Sequence, residues 1–444
     1  MVSDPIVALA TASGRSALAV VRLSGAGAFE VARQVLRWPA ERAIVPRRMV
    51  VAPVFETEGH PVDRALVTFF PGPASYTGED LVEISCHGGL LVPAQVVIAL
   101  MACGARAAAP GEFTRRAVVN GRLDLIQAEA VGDLIDATTR AQGRAAAHQL
   151  DGGLSKRLQG LRASCLDLLA MLAYDIDFPE EDDGPVSRAH LEAALDRVTH
   201  SIERLLVTAP VGARLQRGAM VVFAGRPNAG KSSLFNGLLG IERALVTEIA
   251  GTTRDAIEAA ADVDGWPVRF IDTAGLRSSE DRIELLGIEM SRRYLAAADL
   301  VLLCVEAGRT LTAEENALVE GRPALLVRTK ADLTEEASDS GIPVSVIDGR
   351  GFDQIRKELV ARLFATGDAS GEIEPLLTRE RHRLGLERGL AALGQARLHL
   401  ADGGEPVLVA HHVQDAVGAL DELVGAVDFE EVLGRLFERF CVGK

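Results

Sequence analysis

Gly225, Gly230, Lys231 and Ser232 fit the spacing GxxxxGK[ST] in the segment Gly225-Arg-Pro-Asn-Ala-Gly230-Lys231-Ser232. The chemistry this spacing serves is the grip of a phosphate chain. Backbone N–H groups must surround phosphate oxygens, so glycine is needed wherever a Cβ would intrude. Lys231 would bring positive charge to the β- and γ-phosphates, and the Ser232 hydroxyl would ligate Mg²⁺. Asn228, Ala229 and Ser233 complete the expected nucleotide contacts. The flanks agree with such a loop, because Met220-Val-Val-Phe-Ala reads as a short buried strand. Leu234, Phe235, Leu238 and Leu239 give the apolar face of a following helix.

Three further motifs follow in order. Asp272-Thr273-Ala274-Gly275 closes the strand-like run Val268 to Ile271. There Asp272 is placed to hold Mg²⁺ through water, and the Gly275 amide to meet the γ-phosphate. Between this motif and the loop, Gly251-Thr252-Thr253-Arg254-Asp255 offers a second Mg²⁺ hydroxyl from Thr253. Thr329-Lys330-Ala331-Asp332 fits the base-recognition pattern NKxD except at its first residue. Asp332 can accept from guanine N1–H and the 2-amino group, donors that adenine does not offer. A carboxylate left unpaired discriminates by roughly 10⁴-fold or more. Thr329 in place of Asn lacks the usual bond to guanine N7 and the usual tie to the phosphate loop, so the sequence predicts weaker affinity or a looser loop with guanine preference kept. Ser345-Val346 stands where a fifth motif would fall. Leu276 occupies the position at which many GTPases carry a water-positioning Gln, so another group must act. The set predicts GTP as substrate with Mg²⁺ as cofactor.

These residues need a scaffold. Strand signals at Ile257 to Val263, Val268 to Ile271, Leu300 to Val305, Ala324 to Val327 and Ile342 to Val346 alternate with helical segments, and Asp264-Gly265 reads as a two-residue hairpin turn. The expected fold is multidomain α/β plus all-α. Residues 1–120 form an α/β N-terminal domain and 121–215 the first part of a helical domain. Residues 216–378 form an inserted, Ras-like doubly wound P-loop domain, and 379–444 the rest of the helical domain. The 444 residues carry a net charge of −15, which disfavours broad non-specific nucleic-acid binding. The five cysteines form no CxxC pair, and no apolar run is long enough to cross a bilayer. Both features, with an N-terminus lacking a basic leader, predict a reduced cytoplasmic protein without a membrane anchor. His87 beside Gly88-Gly89 reads as a turn or core histidine rather than a metal ligand.

Beyond the nucleotide motifs, several segments closely resemble the family of tRNA-modification GTPases known as MnmE or TrmE. They are PGPASYTGEDLVEISCHGG, PGEFTRRAVVNGRLDLIQAEAVGDLIDA, DFPEED, IAGTTRD, DTAGLR and the terminal CVGK, which stands for the usual CIGK. The resemblance spans essentially the whole chain, and it implies several properties. The N-terminal domain binds a tetrahydrofolate derivative (5-formyl or methylene) and forms a homodimer. A separate FAD-containing partner, MnmG (GidA), joins in a hetero-oligomer. Together they install an aminomethyl-type group at C5 of the wobble uridine of certain tRNAs, the folate supplying the carbon. Asn228, the carbonyls of Thr247 and Ile249, and the Thr252 position would ligand K⁺, with Thr247 and Thr252 also near the nucleotide. Glu284 matches the family's catalytic glutamate, acting beside Lys231. Arg22, Glu83, Arg122 and Lys444 match the folate positions, and Cys441 a cysteine linked to the modification chemistry. Two other classes compete: an RNA-binding regulatory GTPase, for which no RNA-binding module is visible, and a folate enzyme with a vestigial nucleotide domain, against which the intact Lys231, Ser232, Thr253 and Asp272 speak.

Overall fold

The computed structural model describes residues 4–39, 41–177, 186–241, 243–244, 257–272, 292–334, 340–365, 376–403, 405–425 and 443. They divide between two compact units, one of residues 1–132 with 424–444, the other of 133–423.

The first unit is built on a sheet of order β3-β4-β5-β2-β1-β6. Its strands are β1 (Ile6–Leu9), β2 (Leu18–Ser24), β3 (Val50–Phe55), β4 (Pro61–Phe70), β5 (Leu81–His87) and β6 (Arg106–Ala107). Neighbouring strands run antiparallel except β1 and β6. Strand side chains alternate between faces. Ala19, Val21 and Leu23 of β2 and Val82, Ile84 and Cys86 of β5 therefore share one core. That core includes Val31, Ala32 and Val35 of α1 (Ala28–Val35) and Val96 and Leu100 of α2 (Val92–Ala102). Arg22 and Glu83 fall on the alternate positions. A smaller cluster of Ile6, Ala8, Ala108 and Phe113 packs with Tyr76, Phe113 coming from α3 (Glu112–Val119).

The second unit starts within α4 (Leu125–Asp136) and continues through α5 (Arg140–Leu150), α6 (Gly153–Asp177), α7 (Arg188–Val207) and α8 (Ala209–Arg217). Thr139 and Gln142 form a capping box that starts α5. A second sheet follows, of order β13-β12-β11-β7-β10-β9-β8. Its strands are β7 (Ala219–Ala224), β8 (Arg243–Ala244), β9 (Ile257–Val263), β10 (Trp266–Asp272), β11 (Leu300–Glu306), β12 (Ala324–Thr329) and β13 (Ile342–Pro343). From β13 to β10 the neighbours are parallel; β9 and β8 continue antiparallel. Apolar clusters cover both faces, one around Val221, Phe223 and Phe270, the other around Val222, Ile271 and Val301, as a buried parallel sheet requires. Among the described residues its helices include α9 (Lys231–Ile241), α10 (Ala313–Val319) and α11 (Phe352–Phe364).

The β9–β10 hairpin forms as the sequence predicts. Asp264 and Gly265 sit at φ 49° and 91°, the two left-handed positions of a tight turn whose twist matches the strands. The last strand stops at Pro343, short of the expected Val346. The Ser345 amide turns to the Arg350 carbonyl at 3.1 Å, and its hydroxyl accepts from the Ile347 amide at 3.2 Å. A serine that satisfies local amides in this way ends a ladder.

The chain then returns to helices, α12 (Glu380–Ala401) and α13 (Pro406–Val424). Asp196 of α7 pairs with Arg397 of α12 at 3.1 Å, and Arg162 of α6 pairs with Asp421 of α13. Helices from before and after the second sheet thus pack together. No described helix is long and apolar enough to cross a membrane.

Candidate functional site

The phosphate loop joins β7 to α9. Gly225 has φ 138°, and a Cβ there would lie 2.3 Å from the Cys304 carbonyl oxygen on β11. Only glycine lets the loop leave the sheet at this point. Asn228 sits at φ 64°, a left-handed position that asparagine tolerates better than most residues. Gly230 has φ 82°, and α9 follows it directly.

Lys231 opens α9 with its side chain folded back over the loop. Its Nζ donates to the carbonyls of Gly225 at 3.0 Å and Arg226 at 2.7 Å, and the residue is 7% exposed. A buried ammonium needs such oxygens around it. Ser232 donates to Asp272 Oδ2 at 2.6 Å. This meeting of α9 and β10 follows from sheet register, because β10 runs parallel to β7 with Asp272 opposite Phe223. Asp272 is 1% exposed. A hydroxyl and a carboxylate side by side are hard oxygen donors of the kind Mg²⁺ takes. Burial pushes the neighbouring Cys304 thiol up to about 12, so it stays protonated and inert.

The base-recognition strand is fastened to the same loop. Thr329, at the end of β12, donates from its hydroxyl to the Ala229 carbonyl at 2.8 Å, and the residue is 4% exposed. A tie from this position to the phosphate loop is thus present with threonine in place of asparagine. Ala307 donates its amide to the Thr329 carbonyl at 2.8 Å, fixing the residue from its other side. Lys330, at φ 56°, forms an ion pair with Glu306 at the end of β11. Asp332 is exposed, and the fifth-motif Ser345 is buried. Sequence reasoning missed Glu306 and the Cys304 carbonyl. Their one signal was position, at the C-terminal end of the strand beside the loop.

Replacing Thr329 with valine keeps the shape and deletes the donor, leaving the Ala229 carbonyl unpaired. The expected cost is about 1 kcal/mol, felt as roughly five-fold faster nucleotide release. Stopped-flow dissociation of a fluorescent GDP tests it, and an unchanged rate removes the tie from any role in holding nucleotide.

Thr247, Ile249, Thr252, Thr253, Thr273, Ala274, Gly275, Leu276 and Glu284 lie outside the described residues, as do the stretch Glu180 to Asp183, Cys441 and Lys444. Ser233 is exposed on the first turn of α9.

A second constellation lies in the first unit. Arg22 and Glu83 stand opposite each other in the β2–β5 register. They form an ion pair, with Arg22 Nη2 donating to Glu83 Oε1 at 2.7 Å and Nε donating to the same oxygen at 3.1 Å. The guanidinium carbon lies 5.2 Å from the centroid of the Tyr76 ring and 5.8 Å from that of Phe113. The Tyr76 hydroxyl is bonded to Thr114 at 2.8 Å, and burial raises its pKa. Arg122 is exposed and packs beside Gly78, where a Cβ would meet its Cγ at 3.2 Å. Arg22 and Arg122 therefore meet the same short loop, 76–78. Near the C-terminus, Gly443 lies so close to β1 that a Cβ would sit 2.2 Å from the Leu9 carbonyl oxygen. β1 is the neighbour of β2, with Ala8 opposite Arg22. His87 is held by Asp63 through its Nδ1 and its amide, both at 2.8 Å. Among the described residues no group of three or more His, Cys, Asp or Glu side chains could hold a metal ion.

Comparison with known proteins gives two family matches. The description "GTP-binding protein TrmE N-terminus" covers residues 5–122, and "MnmE helical domain" covers residues 125–441. The tRNA modification GTPase MnmE of Akkermansia muciniphila is 40% identical over 450 residues, spanning 100% of both chains. That of Methylobacterium radiotolerans is 43% identical, covering 100% of this chain and 99% of its own. That of Aquifex aeolicus is 36% identical, covering 99% of this chain and 100% of its own. Among solved structures, the G domain of the T. maritima FeoB iron transporter aligns with 32% of this chain and 98% of its own, at 24% identity and a TM-score of 0.26.

Proposed function

Because this chain belongs to the tRNA modification GTPase MnmE family, it is a GTP hydrolase acting in tRNA modification, and we propose that its nucleotide cycle drives the alkylation of a wobble uridine. The observation that carries the reading is the joint placement of Lys231, Ser232 and Asp272. A buried ammonium lies over the phosphate loop, and a hydroxyl and a carboxylate stand 2.6 Å apart beside it. In this reading Lys231 bears on the β/γ-phosphates, Ser232 and Thr253 ligate Mg²⁺ with Asp272 behind it, and Asp332 reads guanine while Thr329 holds its strand to the loop. Asn228, Thr247, Ile249 and Thr252 would hold K⁺, whose charge stabilises the transferring phosphoryl group in place of an arginine finger. Glu284 orients the attacking water, since Leu276 has no polar group to do so.

The four-part organisation (1–120, 121–215, 216–378, 379–444) belongs to the same proposal. So do a homodimer through the N-terminal domain, the FAD-containing MnmG partner and a cytoplasmic location. Side chains of the first unit support the reading of a folate site. Glu83 uses only Oε1 toward Arg22 in the bonds described, and its carboxylate suits the adjacent N–H and amine of a pterin. Tyr76 supplies aromatic surface over the buried Phe113, Arg22 and Arg122 supply positive charge toward a glutamate tail, and Gly443 lies against β1 beside the strand that carries Arg22. The group transferred at uridine C5 would come from the one-carbon unit of methylene-tetrahydrofolate.

Deleting the gene is expected to remove the C5-aminomethyl-type nucleoside from bulk tRNA, and the intact gene to restore it. Mass spectrometry of digested tRNA reads this directly, and identical nucleoside profiles in the two strains would end the assignment to uridine.

A further inference from the structure

The first unit carries positive charge that neither the nucleotide site nor the Arg22–Glu83 pair uses. From Arg33 to Arg48 the chain has five arginines and one acidic residue, Glu41, in a protein of net charge −15. This segment leads from the end of α1 to β3, the outer strand of its sheet. Arg37, Arg42, Arg47 and Arg48 are all exposed. Elsewhere in the unit, Arg22, Arg106 and Arg116 are neutralised by carboxylates. Among the described residues no carboxylate pairs with any of these four.

One aromatic pair gathers them. The Trp38 ring packs edge-on against Phe69, with centroids 5.5 Å apart. The Arg42 guanidinium lies over the Trp38 ring at 4.1 Å, and Arg47 donates its amide to the Phe69 carbonyl at 2.8 Å. Arg37, next to Trp38 in the chain, lies over the Phe55 ring at 4.3 Å. A guanidinium stacked on a ring spends its face and keeps its N–H edge for another partner. Arg47 gives one donor to the Ala74 carbonyl at 2.7 Å, and the Arg48 side chain has no partner among the described residues. Two of these cations also sit against the local backbone preference, Arg37 at φ 45° and Arg47 at φ 56°. Arg37 caps α1 through the bond of its amide to the Gln34 carbonyl at 3.1 Å, a place where glycine is the favoured residue. Long charged side chains thus stand where folding alone would select small ones.

We propose that the exposed face of residues 37–48 is an RNA-binding surface, on which Arg37, Arg42, Arg47 and Arg48 hold the phosphate backbone of tRNA. Planar forks match phosphate oxygens in pairs, and such contacts set position without reading sequence. Exposed Val45 and Met49 beside them offer apolar surface to sugar or base. A second copy of this chain is a poor occupant, because meeting across a two-fold axis here would set like charges together. The proposal rests on tRNA being the substrate, and it adds where this acidic chain touches it.

Fluorescence anisotropy of an end-labelled, unmodified tRNA transcript with the full-length protein tests it. The double variant Arg42→Gln with Arg48→Gln is expected to bind roughly ten-fold more weakly at about 0.1 M salt, and to lower the slope of log K against log salt by about 2. Its GTP turnover without RNA is expected to stay native, which shows that it folds. Arg157→Gln with Arg197→Gln, at exposed positions of α6 and α7, removes the same charge and is expected to leave affinity within about two-fold. An equal loss in that second variant, unchanged affinity in the first, or no RNA binding by the native protein overturns the proposal. So does capture of the native protein by phosphatidylglycerol vesicles that the first variant loses while its RNA affinity holds, since the face would then meet a membrane. The nucleoside comparison stays separate: if the modified nucleoside depends on the gene but the protein alone binds no RNA, this surface fails and the uridine assignment stands.

Discussion

Replacing Lys231 with alanine is expected to lower GTP turnover by roughly 10²–10³-fold, the loss typical when one preorganised electrostatic group is removed from a developing negative charge. The effect has two sources. The ammonium is 7% exposed and held by two loop carbonyls, so its charge acts in a poorly screened position. Its removal also takes a donor from the carbonyls of Gly225 and Arg226, the latter keeping only the Ala229 amide at 3.3 Å among the described residues, which loosens the loop. Arginine should not rescue the variant, because a planar fork cannot fold back onto both carbonyls as a compact ammonium does. Single-turnover hydrolysis with saturating GTP measures the chemical step apart from binding. A rate within two-fold of the native enzyme would show that this lysine is structural only.

Exchanging K⁺ for Na⁺ is expected to cost a comparable factor. An arginine finger in trans is worth about 10³–10⁵ in turnover, and a monovalent ion at the same place supplies the same charge with less directional bonding, so roughly 10²-fold is the expectation. Asn228 is the described residue on which this rests. Its φ of 64° complicates an alanine test, because Ala there adds backbone strain to the lost ligand. Asn228→Gly removes the side chain while favouring that backbone. Both variants should lose the difference between KCl and NaCl, and the glycine variant should do so with its melting temperature near native. Equal turnover of the native protein in the two salts would exclude the ion from the mechanism.

Much of the nucleotide site is legible in the sequence because its requirements are local. Gly225 and Gly230 answer to backbone angles and close approaches within a few residues. The Asp264-Gly265 turn is fixed by two adjacent positive φ values, again a short-range demand. The tie at Thr329 is less legible, since the pattern NKxD names a residue type while the contact itself is a hydroxyl meeting the Ala229 carbonyl 100 residues away. The pairing of Arg22 with Glu83 was not visible, because strand register joins residues 61 apart and turns two separately read charges into one ion pair. The same holds for Gln149, whose partner Leu376 lies 227 residues away. Apolar periodicity shows which face of α5 is buried, but not which distant backbone its glutamines will meet.

The two connections of the nucleotide-binding sheet leave the helices side by side. Gly212 of α8 lies so near Leu377 that a Cβ would stand 2.2 Å from its carbonyl oxygen, and Leu377 donates its amide to Thr208 at 3.2 Å. Adjacent ends are what allow one folded module to be spliced into another. The intervening stretch is therefore a cassette: a single short graft from the end of α8 to Thr378 would excise it and leave the host helices continuous. Ala145 of α5 and Leu215 of α8 share one apolar core with Phe223 and Phe270 of the sheet, so any guest exchanged at this junction would have to rebuild that seam as well as meet the chain ends.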